Sequence, residues 1–248
     1  MIQTRTVTGM VLKNAPIGDY DKRVVMLTKE MGKISAFAKG ARKPNSSLIG
    51  AVNPFSFGQF VLYEGRSSYT IQQASITNYF RELREDMNSA YYGMYFLEFT
   101  DYYTRELNDE VAMLKLLYQT LRALVKKSIS FPLIRYIYEL KTICINGEAP
   151  QVFQCVSCGN NERTMVFSAL KGGIVCSECR ALIQDAQKIS GSALYTMQYI
   201  ISSPIEKLYT FTVSDEVFEE LKAIVEYYVS IYVGREFNSL EMLKVLNS

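Results

Sequence analysis

Two pairs of cysteines, CVSC at 155–158 and CSEC at 176–179, have the types and spacing of metal ligands. A tetrahedral Zn²⁺ takes four thiolates at roughly 2.3 Å, and each C-x2-C turn aims two sulfurs at one point. Gly159 follows the first pair directly and supplies the tolerance for positive φ that such a turn needs. Between the pairs, TMVFSALKGGIV reads as a hairpin turning at Lys171-Gly172-Gly173. The segment is therefore expected to be a zinc ribbon, with Cys155, Cys158, Cys176 and Cys179 holding one ion. Four thiolates leave no open position for a reacting water, so the site is structural rather than catalytic. Iron in a four-cysteine site has the same ligand arithmetic. Disulfide or redox use is the other alternative, and two such pairs in a cytosolic-looking chain favour metal over it. The fifth cysteine, Cys144, lies between Ile143 and Ile145 and reads as a buried helix residue.

A second constellation is GKISAFAKGARKP at 32–44, which holds Lys33, Lys39, Arg42 and Lys43 with no acid among them. If KISAFAK is a strand, Ile34, Ala36 and Ala38 share one face, small and apolar enough for a barrel interior. Lys33, Ser35, Phe37 and Lys39 share the other. Two cations flanking an aromatic on an exposed strand suit single-stranded nucleic acid: amines follow phosphates while a ring stacks on a base. Arg42 and Lys43 continue the track into a loop, and Lys22 and Arg23 on the preceding strand extend it if the two strands pair. The competing reading is a solvated lysine face, or a bulge that turns Phe37 into the core.

The charge balance agrees with a local basic surface. The chain of 248 residues has a formal net charge of +2, yet residues 1–80 hold ten Lys/Arg against four Asp/Glu. The chain contains no histidine, which removes the commonest general acid/base and the commonest metal ligand and argues against an enzyme. Glu82, Glu85 and Asp86 look like an ordinary helix start rather than a two-metal site. The uncharged run from Ile189 to Ile205 is broken by Ser190, Gly191, Ser192 and Pro204, so no membrane span is expected. The opening MIQTRTVTG lacks the apolar core of a secretion signal, and with free-looking thiols this points to the cytoplasm.

The elements that position these residues fall into three regions, in an α+β chain. Residues 1–77 carry five strand-like segments (TRTVTGMVL, KRVVMLT, KISAFAK, FGQFVLYE, SYTIQQAS) separated by turn signals, including NAPIGDYD. That count and size fit an OB-fold barrel, or an SH3-like one. Residues 78–149 and 189–248 show helical periodicity and are expected to form one bundle. Tyr92, Tyr95, Phe96, Phe99, Tyr102 and Tyr103 form an aromatic stripe that at helical spacing reads as core packing. Leu114, Leu117, Leu121 and Leu124 line a second helix, and a third starts near Pro132 and stops at Asn146-Gly147. Ser214 caps another, with Val217, Leu221, Ile224, Val225, Tyr228 and Ile231 facing inward. Residues 150–188 are the ribbon, inserted between helices.

GMVLK at 9–13, DKRVVMLT at 21–28 and GKISAFAKGARKP at 32–44, followed by helices interrupted by C-x2-C…G-G…C-x2-C, resemble the RecO family of bacterial recombination mediators. The resemblance covers essentially the whole chain. It implies an OB-fold followed by a helical bundle with a zinc ribbon, and a role in recombinational DNA repair. It further implies a non-enzymatic protein that binds single- and double-stranded DNA and anneals complementary strands. Such a protein works with RecR to load RecA onto strands coated by SSB, and would be nucleoid-associated. The family's basic DNA-binding positions carry over onto Arg23, Lys33, Lys39, Arg42 and Lys43 as the matching motif region, beside Phe37. The alternative class is a zinc-ribbon adaptor that binds protein and carries its basic surface incidentally.

Overall fold

The computed structural model describes residues 3–161 and 164–246. Five strands open the chain: β1 (Gln3–Ile17), β2 (Asp21–Thr28), β3 (Gly32–Ala38), β4 (Phe57–Glu64) and β5 (Tyr69–Asn78). They close into a barrel in the order β1-β2-β3-β5-β4, antiparallel throughout except for the short β3–β5 pairing. This is the OB-like barrel expected. Its interior is filled by Val7, Val11, Val24, Met26, Ile34, Phe60, Leu62 and Ile71. Phe60 and Leu62 are fully buried, each stabilising the barrel by about 1.5–3 kcal/mol. Ala36 and Ala38 are equally buried, and their small side chains leave room for those larger ones.

β1 is longer than its residue types suggest. Asn14, Ala15 and Pro16, expected in a turn, continue the strand opposite Val24, Arg23 and Lys22, and the turn contracts to Gly18-Asp19-Tyr20. Proline is tolerated there because β1 pairs with β4 only from Gln3 to Met10. Beyond that point one edge of β1 has no ladder to break. An irregularity between Val11 and Lys13 marks the change, where Val11 N–H donates to Ser56 O at 3.0 Å.

Helices follow: α1 (Met87–Tyr103), α2 (Val111–Lys126), α3 (Phe131–Ile145), α4 (Gly191–Ser202), α5 (Asp215–Tyr232) and α6 (Asn238–Leu246). Between α3 and α4 stand β6 (Met165–Ser168), β7 (Gly173–Cys176) and β8 (Gln187–Lys188), a small sheet in the order β7-β6-β8. The chain divides into two compact units, residues 1–126 with 237–248, and residues 127–236. The helices expected in one bundle are thus shared out. α3, α4 and α5, on either side of the ribbon, pack on one another, while α1, α2 and α6 group with the barrel.

The physical reason lies in the aromatic stripe of α1. Tyr92, Tyr95, Phe96 and Phe99 are buried. Tyr95 and Phe99 meet Phe237, at the start of α6, with ring centroids 5.6 and 5.2 Å apart. The stripe is core, as its period implies. α2 buries Leu114, Leu117, Leu121 and Leu124.

In the second unit, Lys141 of α3 is buried, and its Nζ donates to Ile200 O, Ile201 O and Ser203 O at 3.1, 2.7 and 2.8 Å. A cation there satisfies the last carbonyls of α4 and opposes the negative end of its dipole. Ser190 and Ser214 cap α4 and α5, their Oγ atoms accepting from Ala193 and Val217 N–H. One inward expectation fails: Ile231, in the last turn of α5, is exposed. No helix among the described residues is long and apolar enough to cross a membrane.

Candidate metal centre and nucleic-acid interface

The sheet of the ribbon brings the two cysteine pairs together. Cys176 ends β7 opposite Met165, and the turn at Cys155 sits beside it because Val156 N–H donates to Ile174 O at 2.9 Å. Gly159 adopts φ +75° and donates to Cys155 O at 2.9 Å, closing the first turn as the sequence requires. The four Sγ atoms lie within 4.8 Å of one another, and Cys158 and Cys176 are 3.7 Å apart. The edge of a tetrahedron with metal–sulfur bonds of about 2.3 Å is about 3.8 Å, so the spacing suits Zn²⁺.

Electrostatics suit it as well. Burial opposes ionisation of Cys155, but N–H groups of Cys176, Cys158 and Ser157 outweigh it and bring the thiol down to about 6. Side-chain hydrogen bonds with Cys176 and Cys158 push Cys179 up to about 12. Four thiolates this close repel one another, and a divalent cation relieves that repulsion. The residues present could hold a metal ion. Cys144 stands apart in α3, and burial raises its thiol to about 11.

The ribbon leans on the helices beside it. Phe167 of β6 is fully buried and meets Tyr228 of α5 at 5.8 Å between centroids. Tyr228 Oη donates to Glu148 O at 2.9 Å, and Gln198 Nε2 donates to Val152 O at 2.7 Å.

The barrel presents the cationic run differently. Burial alternates strictly along β3, with Ile34, Ala36 and Ala38 in the core and Lys33, Ser35 and Phe37 on the other face. Phe37 lies opposite Arg23 of β2 and Thr70 of β5. Arg23 is exposed, with its Nε donating to Ser35 Oγ at 2.8 Å. Lys39, Arg42 and Lys43 are exposed in the loop that follows.

That loop is tied to the β1–β2 turn. Arg42 N–H donates to Tyr20 O at 2.9 Å, its Nη1 to Gly18 O at 3.2 Å, and Gly40 N–H to Asp21 Oδ1 at 2.7 Å. Among the described residues, no carboxylate lies within ion-pair distance of Arg23, Lys39, Arg42 or Lys43. Lys22, beside them, donates to Asn53 Oδ1 at 3.0 Å. Its pKa is lowered by burial and by the nearby Arg42 guanidinium.

Lys33 departs from this group. Its Nζ donates to Asp101 O at 2.6 Å and lies 3.2 Å from Asp101 Oδ1, and its side chain is only 18% exposed. Lys13 reaches the same carboxylate at 2.6 Å. Burial would raise the Asp101 pKa, but the hydrogen bonds and charges of Lys13 and Lys33 hold it below the usual value. Lys33 therefore ties α1 to the barrel, its Nζ already engaged by Asp101, unlike the other cations expected to meet DNA. Arg135, basic by sequence, is likewise committed to Glu139 at 2.6 Å and lies 3.4 Å from Glu226.

The residue that strand patterning misses is Tyr20. It is 54% exposed at the tip of the β1–β2 turn, and Lys43 Nζ lies 5.5 Å from its ring centroid. An aromatic in a Gly-Asp-rich turn beside two basic residues is the only signal that could have found it.

Residues 1–80 match the family model described as Recombination protein O N terminal, and residues 84–241 match Recombination protein O C terminal. The chain is 34% identical to the DNA repair protein RecO of Alkaliphilus metalliredigens, over 95% of this chain and 97% of that one. It is 32% identical to its counterpart in Symbiobacterium thermophilum, over 98% and 97% of the two chains. It is 30% identical to that of Acetivibrio thermocellus, over 97% and 96%. The barrel, helices α1 to α5 and the cysteine cluster thus fall within the matched residues, and the chain belongs to the RecO family of DNA repair and recombination proteins.

Proposed function

We propose that this protein is a non-enzymatic DNA-binding recombination mediator that binds single- and double-stranded DNA on the outer face of its barrel and anneals complementary strands. The observation that supports it most is the set of exposed cations at one end of the barrel: Arg23, Lys39, Arg42 and Lys43 without carboxylate partners among the described residues, with Phe37 in their midst. OB-folds use the β2–β3 face and adjoining loops for oligonucleotides, and these residues occupy that face and its loop. Cations there neutralise phosphates irrespective of sequence and lower the repulsion between two strands brought together.

One Zn²⁺ held by Cys155, Cys158, Cys176 and Cys179 would stabilise the ribbon and take no part in DNA chemistry. In the cell, the partners of this reading are RecR, SSB-coated single strands and, indirectly, RecA. The test is annealing of complementary strands precoated with SSB. Duplex formation faster than the spontaneous rate, with both strands recovered uncleaved in Mg²⁺, is expected. Cleavage of the strands, or a rate unchanged by the protein, would refute the proposal. A protein that left DNA unbound in a gel shift at moderate salt would instead be an adaptor of the zinc-ribbon class.

A further inference from the structure

We infer that Tyr20 is a base-stacking platform that gives the barrel a preference for unpaired strands over duplex, an inference that rests on the DNA-binding reading above. Three observations carry it. The residue is 54% exposed, so its side chain is accessible to a base. It is held rather than loose: its backbone carbonyl accepts from Arg42 N–H, and its turn is closed onto the 39–43 loop by Arg42 Nη1 on Gly18 O and Gly40 N–H on Asp21 Oδ1. And it stands among cations, with Lys43 Nζ 5.5 Å from its ring centroid.

A strand laid on this end of the barrel finds phosphate partners and an aromatic face together. The same turn carries Asp19 and Asp21, but the Asp21 carboxylate is already occupied by the Gly40 amide. Lys22, Arg23, Lys39, Arg42 and Lys43 outnumber the two acids in the immediate sequence neighbourhood.

Tyr20 also extends the track that Phe37 begins. Arg23 lies opposite Phe37, and Tyr20 stands in the turn three residues before Arg23 in the chain. Phe37 is partly buried between Arg23 and Thr70, whereas Tyr20 projects from a loop. A stacking ring needs a base that has left its partner, so this site discriminates by strandedness. The cations, which touch only phosphates, do not.

The test is fluorescence anisotropy of the full chain with three labelled ligands of equal length: oligothymidylate, an abasic strand and a duplex. Tyr20→Ala should weaken oligothymidylate binding about five-fold or more, the lower end of one lost stacking interaction. It should leave the abasic strand, the duplex and the salt slope unchanged, and Tyr20→Phe should bind as the parent does. Photocrosslinking of the unmodified protein to 5-iododeoxyuridine oligonucleotide should label the peptide that contains residue 20. Parental affinity of Tyr20→Ala for oligothymidylate, equal losses on all three ligands, or a crosslink map without residue 20 would overturn the inference. If replacing Lys39, Arg42 and Lys43 with alanine weakens binding while Tyr20→Ala keeps the parental affinity for oligothymidylate, stacking falls and the DNA-binding reading stands. If the parent binds none of the three ligands, both fall.

Discussion

The ribbon and the cationic end of the barrel are opposite ways of building a site. The four thiols of the ribbon converge to within 4.8 Å, two of them buried, and backbone N–H groups are already aimed at Cys155. The cations of the barrel end are exposed, on β2 and on a loop that three hydrogen bonds tie to the β1–β2 turn and to Asp21. A metal ion needs four donors at one point, so its site is a fixed fold feature whose loss propagates. A polyanion needs a field spread over several phosphates, so its site is additive, and each cation removed costs a fraction.

Three substitutions sharpen that contrast, beginning with the largest expected effect. Cys176→Ser breaks the thiolate set at a fully buried position at the end of β7, opposite Met165. It should abolish stoichiometric zinc, measured by elemental analysis, and cost more than about 4 kcal/mol of stability in chemical denaturation. DNA binding by the barrel should survive. Parental stability, or no metal in the parent protein, would show that the thiols do not act as a ligand set.

Gly32→Ala comes next, on the barrel side. Gly32 has φ +63°, and a Cβ there would sit 2.5 Å from Asn108 O, a backbone atom that cannot rotate away. Strain and clash together should cost about 2–4 kcal/mol, read from the urea midpoint. A smaller loss would mean that the 105–108 segment yields.

Asp101→Asn should be mildest, about 1 kcal/mol at neutral pH, because Lys13 is largely exposed and its attraction is screened. The pKa of Asp101 is depressed in the folded protein, so its contribution is fully present above the unfolded carboxylate value of about 4. It is lost as pH falls through the lower folded value. The parent and variant stability curves should therefore be separated near pH 7, begin to converge below pH about 4, and merge only below the depressed folded value. A gap that persisted in acid would show that geometry, not charge, is what Asp101 supplies.

What the sequence made legible follows from short-range periodicity. Alternation along β3 placed Ile34, Ala36 and Ala38 inside and Phe37 on the outer face, and the i,i+3/i+4 spacing of α1 identified a buried stripe. The cysteine spacing led to the cluster because two C-x2-C turns joined by a hairpin have few other ways to close. What periodicity could not supply is pairing over long separations. Lys33 is neutralised by Asp101, sixty-eight residues away, and no local pattern marks either residue for the other. The grouping of α6 with α1 depends on Phe237 meeting Tyr95 and Phe99, and a lone Phe before a short terminal helix does not announce that. Pro16 stays in β1 because that stretch of the strand lacks a β4 partner, a fact of sheet topology rather than of residue type.

The central claim is that the unpaired cations of the barrel end, and not the lysines tied to Asp101, hold DNA. The most direct test is the salt dependence of single-strand binding by the parent and by the Lys39→Ala/Arg42→Ala/Lys43→Ala variant. The slope of log K against log salt should fall by about 0.7 for each lost phosphate contact, about 2 in all, with affinity reduced at every salt concentration. An unchanged slope with unchanged affinity would place the DNA elsewhere and contradict the account.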